Sequence, residues 1–210
     1  MATRGLFITF EGGEGAGKSS QVQLLAQRMG QSGWTTHTTR EPGGTPLAEK
    51  IRQLLVSGSP TAMNGTTELL LMEAARSDHV NLIRQYMEAG VHVLCDRFGD
   101  SSLAYQGYGR GMDVDWIRQL NHQATGGLQP DLTFLLDVDE ALGLGRSKGS
   151  HKGEDRFEQE KREFHQRVRQ GFLNLAAASP ERFRVVDGSQ SLEAISQKIW
   201  QEVEDAIRRL

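Results

Sequence analysis

Cysteine is almost absent from the 210 residues. Cys95 stands alone, so neither an intramolecular disulfide nor a cysteine-built zinc site is available. Prolines number only 5, which excludes an extended Pro-rich stalk or linker. No apolar run approaches the roughly 20 residues that a membrane-spanning helix needs. A surplus of one charge is missing too: 24 Lys and Arg face 27 Asp and Glu, a formal net charge of −3, which argues against a broad nucleic-acid-binding face. The opening Met1-Ala-Thr-Arg-Gly-Leu-Phe-Ile has one Arg and then alternation, without the apolar core of a secretory signal. These absences together predict a cytoplasmic globular protein with no membrane and no nucleic-acid partner. The 6 histidines show no His-x-x-x-His pairing of the kind that holds a metal.

Glycine, by contrast, is in excess: 24 residues, where average usage of about 7% would give roughly 15. Most fall in short clusters, at 12/13/15/17, 43/44, 107/109/111, 126/127 and 143/145/149/153. With so few prolines, clustered glycine asks for tight turns and close backbone approach rather than disorder. The cations are skewed to Arg, 18 against 6 Lys, a choice suited to bidentate recognition of phosphate or carboxylate.

Short β-rich apolar runs, Leu6 to Phe10, Trp34 to Thr39, Val91 to Cys95, Leu132 to Val138 and Phe183 to Val186, alternate with amphipathic stretches. Helical periodicity covers Lys18 to Met29, Leu47 to Val56, Thr67 to Glu88, Val114 to Thr125, Ala141 to Arg146, Phe157 to Ala178 and Leu192 to Arg209. That alternation predicts an α/β protein with a mostly parallel sheet. No internal repeat or low-complexity linker divides the chain, so one domain over residues 1–210 is expected.

The first glycine cluster carries chemistry. Gly12, Gly13, Glu14, Gly15, Ala16, Gly17, Lys18 and Ser19 fit the pattern G-x-x-x-x-G-K-[ST], between an apolar run and a helical pattern, with Ser20 following. Glycines let backbone N–H groups converge on an anion, and the helix N-terminus adds partial positive charge. Lys18 is placed to reach the β- and γ-phosphates of a nucleoside triphosphate, and Ser19 to ligate Mg²⁺. A GTPase is disfavoured, because no Asn-Lys-x-Asp segment reads guanine.

Arginines beside turns supply the second half of the pattern. Arg97 follows an apolar strand at its carboxyl end, where ligands gather in open α/β sheets, and neighbouring Asp96 is placed to hold Mg²⁺ as a Walker-B-like acid. Arg40 follows the second apolar run. Arg76, inside the long helix near Glu68, Met72 and Glu73, also reads on its own as an ordinary exposed, salt-bridged residue.

Four segments in order, Phe10-Glu-Gly-Gly-Glu-Gly-Ala-Gly-Lys-Ser19, Thr39-Arg-Glu-Pro-Gly-Gly-Thr-Pro-Leu-Ala48, Asp96-Arg-Phe-Gly-Asp-Ser-Ser-Leu-Ala-Tyr-Gln-Gly-Tyr-Gly-Arg-Gly111 and Glu154-Asp-Arg-Phe-Glu-Gln-Glu160, make the chain resemble the thymidylate kinases, in their bacterial form. The resemblance implies a three-layer P-loop fold with a five-stranded parallel sheet in the order 2-3-1-4-5, a homodimer, and ATP-dependent phosphorylation of dTMP to dTDP with Mg²⁺. It implies further that Arg97 and Arg40 hold the acceptor 5′-phosphate and that Arg76 reads a thymine carbonyl. Ser102 and Gln106 resemble the base-reading polar pair, Tyr105 the aromatic against the sugar's 2′ side, and Glu14 the carboxylate near the 3′-hydroxyl. Met72 stands where the family usually has a stacking Phe, which opens a kinase for dUMP or a 5-modified dUMP as an alternative. A silent nucleotide-sensing module is the other alternative.

Residues 146–156, Arg-Ser-Lys-Gly-Ser-His-Lys-Gly-Glu-Asp-Arg, carry cations between glycines and nothing apolar to bury. Such a run is commonly a solvated loop. Beside a P-loop it predicts a mobile lid hinged at Gly145, Gly149 and Gly153, with Arg146 on ATP and Arg156 on the transferring phosphoryl group.

Overall fold

The β1 strand (Phe7–Glu11) is buried along its whole length, as a strand covered by helices on both faces must be. In the computed structural model, which describes residues 4–56, 63–148, 157 and 160–209, β1 lies at the centre of a parallel sheet. β2 (Thr36–Arg40), β3 (His92–Asp96), β4 (Leu132–Asp137) and β5 (Phe183–Asp187) complete it in the order β2-β3-β1-β4-β5. Ile8 is in register with Leu94 on one side and Leu132 on the other. The expected order and fold are therefore present.

Alternation along the strands builds the three layers. Ile8, Phe10, Leu94, Phe134 and Leu136 face α1 (Lys18–Gln31) and α8 (Leu192–Ile207), where Val22, Leu25, Met29, Ile195, Ile199 and Val203 close the core. On the opposite face Phe7, Val93 and Cys95 meet Val80, Ile83 and Met87 of α3 (Gly65–Glu88). There too Leu135 and Phe183 meet Phe164, Val168 and Phe172 of α7 (Arg162–Ala178). The two remaining longer helices, α2 (Pro46–Val56) and α5 (Val114–Thr125), flank α3.

Three expectations need correction. Gly107 and Gly109, in a cluster that suggested tight turns, lie in a helix: α4 (Gly99–Ser102) continues into π-helical turns over Leu103–Gly109. Gly109 serves packing there, since a Cβ would stand 2.7 Å from the Phe164 ring. The α7 helix begins at Arg162 instead of Phe157, with Glu160 N donating to the Phe157 carbonyl at 3.3 Å ahead of it. Gly145, expected at the edge of a loop, sits inside α6 (Glu140–Lys148). The rest of the expected lid, 149–156 with Gly149, Gly153 and Arg156, lies outside the described residues.

Candidate active site

All five strands point their carboxyl ends the same way, and β1, β2 and β3 bring Glu11, Arg40 and Asp96 to that edge. The P-loop leaves β1 there. Gly12 adopts φ 136°, and a Cβ would stand 2.5 Å from the Leu136 carbonyl oxygen of β4, so the loop leaves the sheet through a gap only glycine fits. Gly17 adopts φ 90° and caps α1, aiming that helix's first N–H groups into the loop. Lys18 folds back across it, with Nζ donating to the Gly12 and Gly13 carbonyls at 3.1 and 2.8 Å. Burial foremost, then the nearby Arg97, lowers the Lys18 pKa to about 8.

Ser19 Oγ donates to the Asp96 carboxylate across a short contact. Two hard oxygen donors meeting beside a phosphate cradle is what Mg²⁺ takes, so the residues present fit that ion. No group of three or more His, Cys, Asp or Glu poised for a metal exists among the described residues.

Beyond β3 the chain reverses at Arg97, whose φ of 71° is the one positive value outside glycine among the described residues. Such a backbone costs on the order of 1 kcal/mol or more and persists where the surroundings enforce it. Here they do. Arg97 N donates to the Phe10 carbonyl at 3.0 Å. Phe98 N donates to Glu11 Oε1 at 2.8 Å, and Ser101 Oγ to Glu11 Oε2 at 2.6 Å. The Arg97 guanidinium reaches Gly12 O at 3.0 Å, Ser101 Oγ at 3.2 Å, Glu14 Oε1 at 2.8 Å and Tyr105 Oη at 3.0 Å. Tyr105 Oη in turn donates to Glu14 Oε1 at 2.7 Å. Burial alone would raise the Glu14 pKa, but Arg97, then Lys18 and the Tyr105 hydroxyl, hold it down at about 2. Glu11 goes the other way: complete burial, and then the charge of Asp100, push it up to about 8.

A cleft of about 560 Å³ opens between these groups, a size suited to nucleotide fragments. Glu14, Gly15, Gly17, Lys18, Ser19 and Ser20 line one end. Arg40, Met72, Arg76, Asp96, Arg97, Ser102, Tyr105, Gln106 and Arg146 complete the predicted set that reaches it. Gly12, Gly13 and Ala16 belong to the loop without lining this cleft. A second hollow, of about 580 Å³ between the starts of α3 and α7, has no part of the P-loop in its wall.

Arg76 is not the exposed helix residue its neighbours suggested, being only 3% exposed. Its Nε donates to Glu41 at 2.7 Å, its Nη1 faces Glu73, Ser102 and Asn121, and its Nη2 donates to the Phe98 carbonyl at 3.2 Å. Burial works against that charge, but Glu73 and Glu41 outweigh it and raise the pKa further. Gln106 is fixed by donating to Glu68 at 2.8 Å. Arg40, half exposed, pairs with Glu49 of α2 at 3.0 Å, and Arg146 donates to the Gly188 carbonyl at 2.8 Å.

Several site residues escaped sequence reasoning. Glu41, Arg52 and Phe157 line the cleft, and Glu11 lies buried behind Arg97. Glu41 and Phe157 stand inside the quoted segments, but nothing in their spacing marks them. Glu11 follows the apolar run of β1 directly, and a carboxylate ending a buried strand is the available signal.

The sequence profile of the thymidylate kinase family matches residues 10–199. A thymidylate kinase of Magnetococcus marinus is 51% identical over 202 residues, covering 96% of each chain. One from a Synechococcus strain is 50% identical, covering 95% of this chain and 94% of its own. Among solved structures, a thymidylate kinase from Ehrlichia chaffeensis superposes with a TM-score of 0.77 at 34% identity, covering 95% of this chain and 99% of that one. With the P-loop, the Ser19–Asp96 pair and the arginine-lined cleft in one place, and with this match over most of its length, the chain belongs to the thymidylate kinase family.

Proposed function

We infer that the protein transfers the γ-phosphoryl group of ATP to the 5′-phosphate of dTMP, giving dTDP and ADP. One observation carries the reading: a triphosphate cradle (Lys18, Ser19, Asp96) and a cationic acceptor end (Arg97, with Tyr105 and Glu14) open into one cleft. The acceptor is already an anion at neutral pH, so no general base is required. The barrier is the approach of two polyanions, and catalysis is positioning plus electrostatic stabilisation.

Lys18 exchanges its loop carbonyls for the β- and γ-phosphates. Ser19 and Asp96 would hold Mg²⁺, which neutralises phosphate charge. Arg97 and Arg40 hold the acceptor phosphate, and Arg156 supplies a cation to the transferring group, with Arg146 toward ATP. At the base end, Arg76 has one of its five N–H groups left for a thymine carbonyl after its protein partners are counted, while Ser102 and Gln106 offer further polar contacts. Met72 is apolar and polarizable enough to pack on the ring. Glu14 and Tyr105 face the sugar. The protein acts as a cytoplasmic homodimer in this reading.

Coupled ADP release with ATP, Mg²⁺ and a panel of nucleoside monophosphates tests it. Turnover with dTMP well above that with dUMP is expected, and ATP hydrolysis without acceptor should be slow, since a closed site excludes water. Preference for a 5-modified dUMP over dTMP would reassign the substrate, and no turnover at all would make the protein a nucleotide sensor.

A further inference from the structure

Arg97 reaches the cleft only because the chain reverses at a left-handed residue, and the groups enforcing that reversal converge on a single side chain. Glu11 is fully buried at the carboxyl end of β1. One carboxylate oxygen accepts from Phe98 N at 2.8 Å, directly after Arg97 in the chain, and the other from Ser101 Oγ at 2.6 Å. Ser101 Oγ also accepts from the Arg97 guanidinium at 3.2 Å. Glu11 thus fixes the Arg97 backbone from one side and its side chain from the other, without touching the cleft. Behind the same helical turn, Arg182 binds Asp100 through two bonds of 2.7 Å and Thr133 at 2.8 Å, which ties α4 to the β4 and β5 side of the sheet.

We propose that Glu11 is a positioning residue that sets affinity for the acceptor's phosphate by holding Arg97 in place through Phe98 N and Ser101. The proposal rests on the reading of Arg97 as a ligand of the acceptor phosphate. It separates Glu11 from a residue that merely stabilises the fold, because displacing Arg97 acts on the phosphate directly and on the sugar only through Glu14 and Tyr105. The relevant measure is the ratio of affinities for dTMP and for thymidine, which differ by that phosphate alone.

Calorimetric titration of the full-length protein and its variants with dTMP, thymidine and ADP makes the test. Glu11→Ala should weaken dTMP binding by about 10- to 100-fold, the scale of a misplaced catalytic group, with thymidine weakened much less than dTMP and ADP within about twofold of the wild type. Glu11→Gln should restore most of the loss. It keeps an acceptor for Phe98 N and a polar contact to Ser101, and it imitates the protonated carboxyl favoured by a pKa of about 8. If Glu11→Ala does not fold, Ser101→Ala removes the side-chain half of the arrangement and should shift the same ratio in the same direction. In an Arg97→Ala background the second substitution should leave dTMP affinity unchanged, because nothing remains to be positioned. Parallel loss of dTMP, thymidine and ADP binding, or an unchanged ratio in variants that fold, overturns the proposal while leaving Arg97 in its role, provided Arg97→Ala alone shifts the ratio. An unchanged ratio in Arg97→Ala overturns both.

Discussion

Lys18 carries its charge into the cleft at a cost that pH can expose. Its pKa of about 8 in the free protein lies below the ordinary value of 10.5, so the cation is present below pH 8 and lost as pH rises through it. Phosphates bound beside it raise that pKa again. The kcat/KM for ATP, which reports the free enzyme, should therefore fall as pH rises past about 8, while kcat holds to higher pH. Glu11 titrates in the same range, so the profile should be repeated with Glu11→Gln: persistence of the falling limb assigns it to Lys18, and its disappearance assigns it to Glu11. Glu14 works in the opposite sense. Its depression from 4.5 to about 2 is a contribution to stability in place above pH 4.5 and lost as pH falls toward 2. Arg156→Ala should lower kcat on the order of 10³-fold with little change in the KM for dTMP; steady-state kinetics showing the reverse would remove that side chain from the transition state. At this scale the cradle was legible because its backbone demands glycine at fixed positions. Glu11 and Glu41 were not, since a carboxylate's partner depends on which distant strand or helix the fold brings beside it.

Some elements meet at glycines instead of turning there. In α6, a Cβ at Gly143 would stand 2.4 Å from the Glu14 carbonyl oxygen, so this helix rests directly on the P-loop. Gly143→Ala should push the loop off its cradle geometry, weakening ATP binding about tenfold or more and, because Glu14 moves with it, weakening dTMP binding as well; unchanged affinity for both ligands, measured by calorimetry, would mean the loop does not depend on α6. The same reasoning explains why 99–109 reads as a loop in sequence and folds as a helix. Gly107 and Gly109 look like breakers, yet they admit Val114 and Phe164 against the helix backbone, and Gly171 of α7 similarly leaves room for the Tyr108 ring. Local propensity is overridden by tertiary packing there. Strands and the longer helices were readable because burial on both faces, or along one stripe, imposes a period on the chain.

Across the whole molecule, the cleft is walled by the P-loop, α2, α3 and the α4 turn, so ligands add to the contacts that already join these parts. Saturating ligand at about 100 times its Kd contributes about 2.7 kcal/mol to the folded state, which in a domain of this size corresponds to a rise in Tm of about 5–10 °C. Scanning calorimetry with ATP and dTMP separately and together checks this; the two ligands together should exceed either alone. The strand order was reachable only through resemblance, because periodicity carries no information about which strand neighbours which. That order also has a consequence for biosynthesis. Ile8 of β1 pairs with Leu94 and Leu132, partners that leave the ribosome long after it. The P-loop strand therefore emerges first and waits, one edge open until β3 follows and the other until β4 does. A nascent chain that has exposed the complete phosphate-binding motif still has no site to offer a nucleotide, which makes ATP binding a reporter of nearly completed synthesis rather than an aid to its early stages.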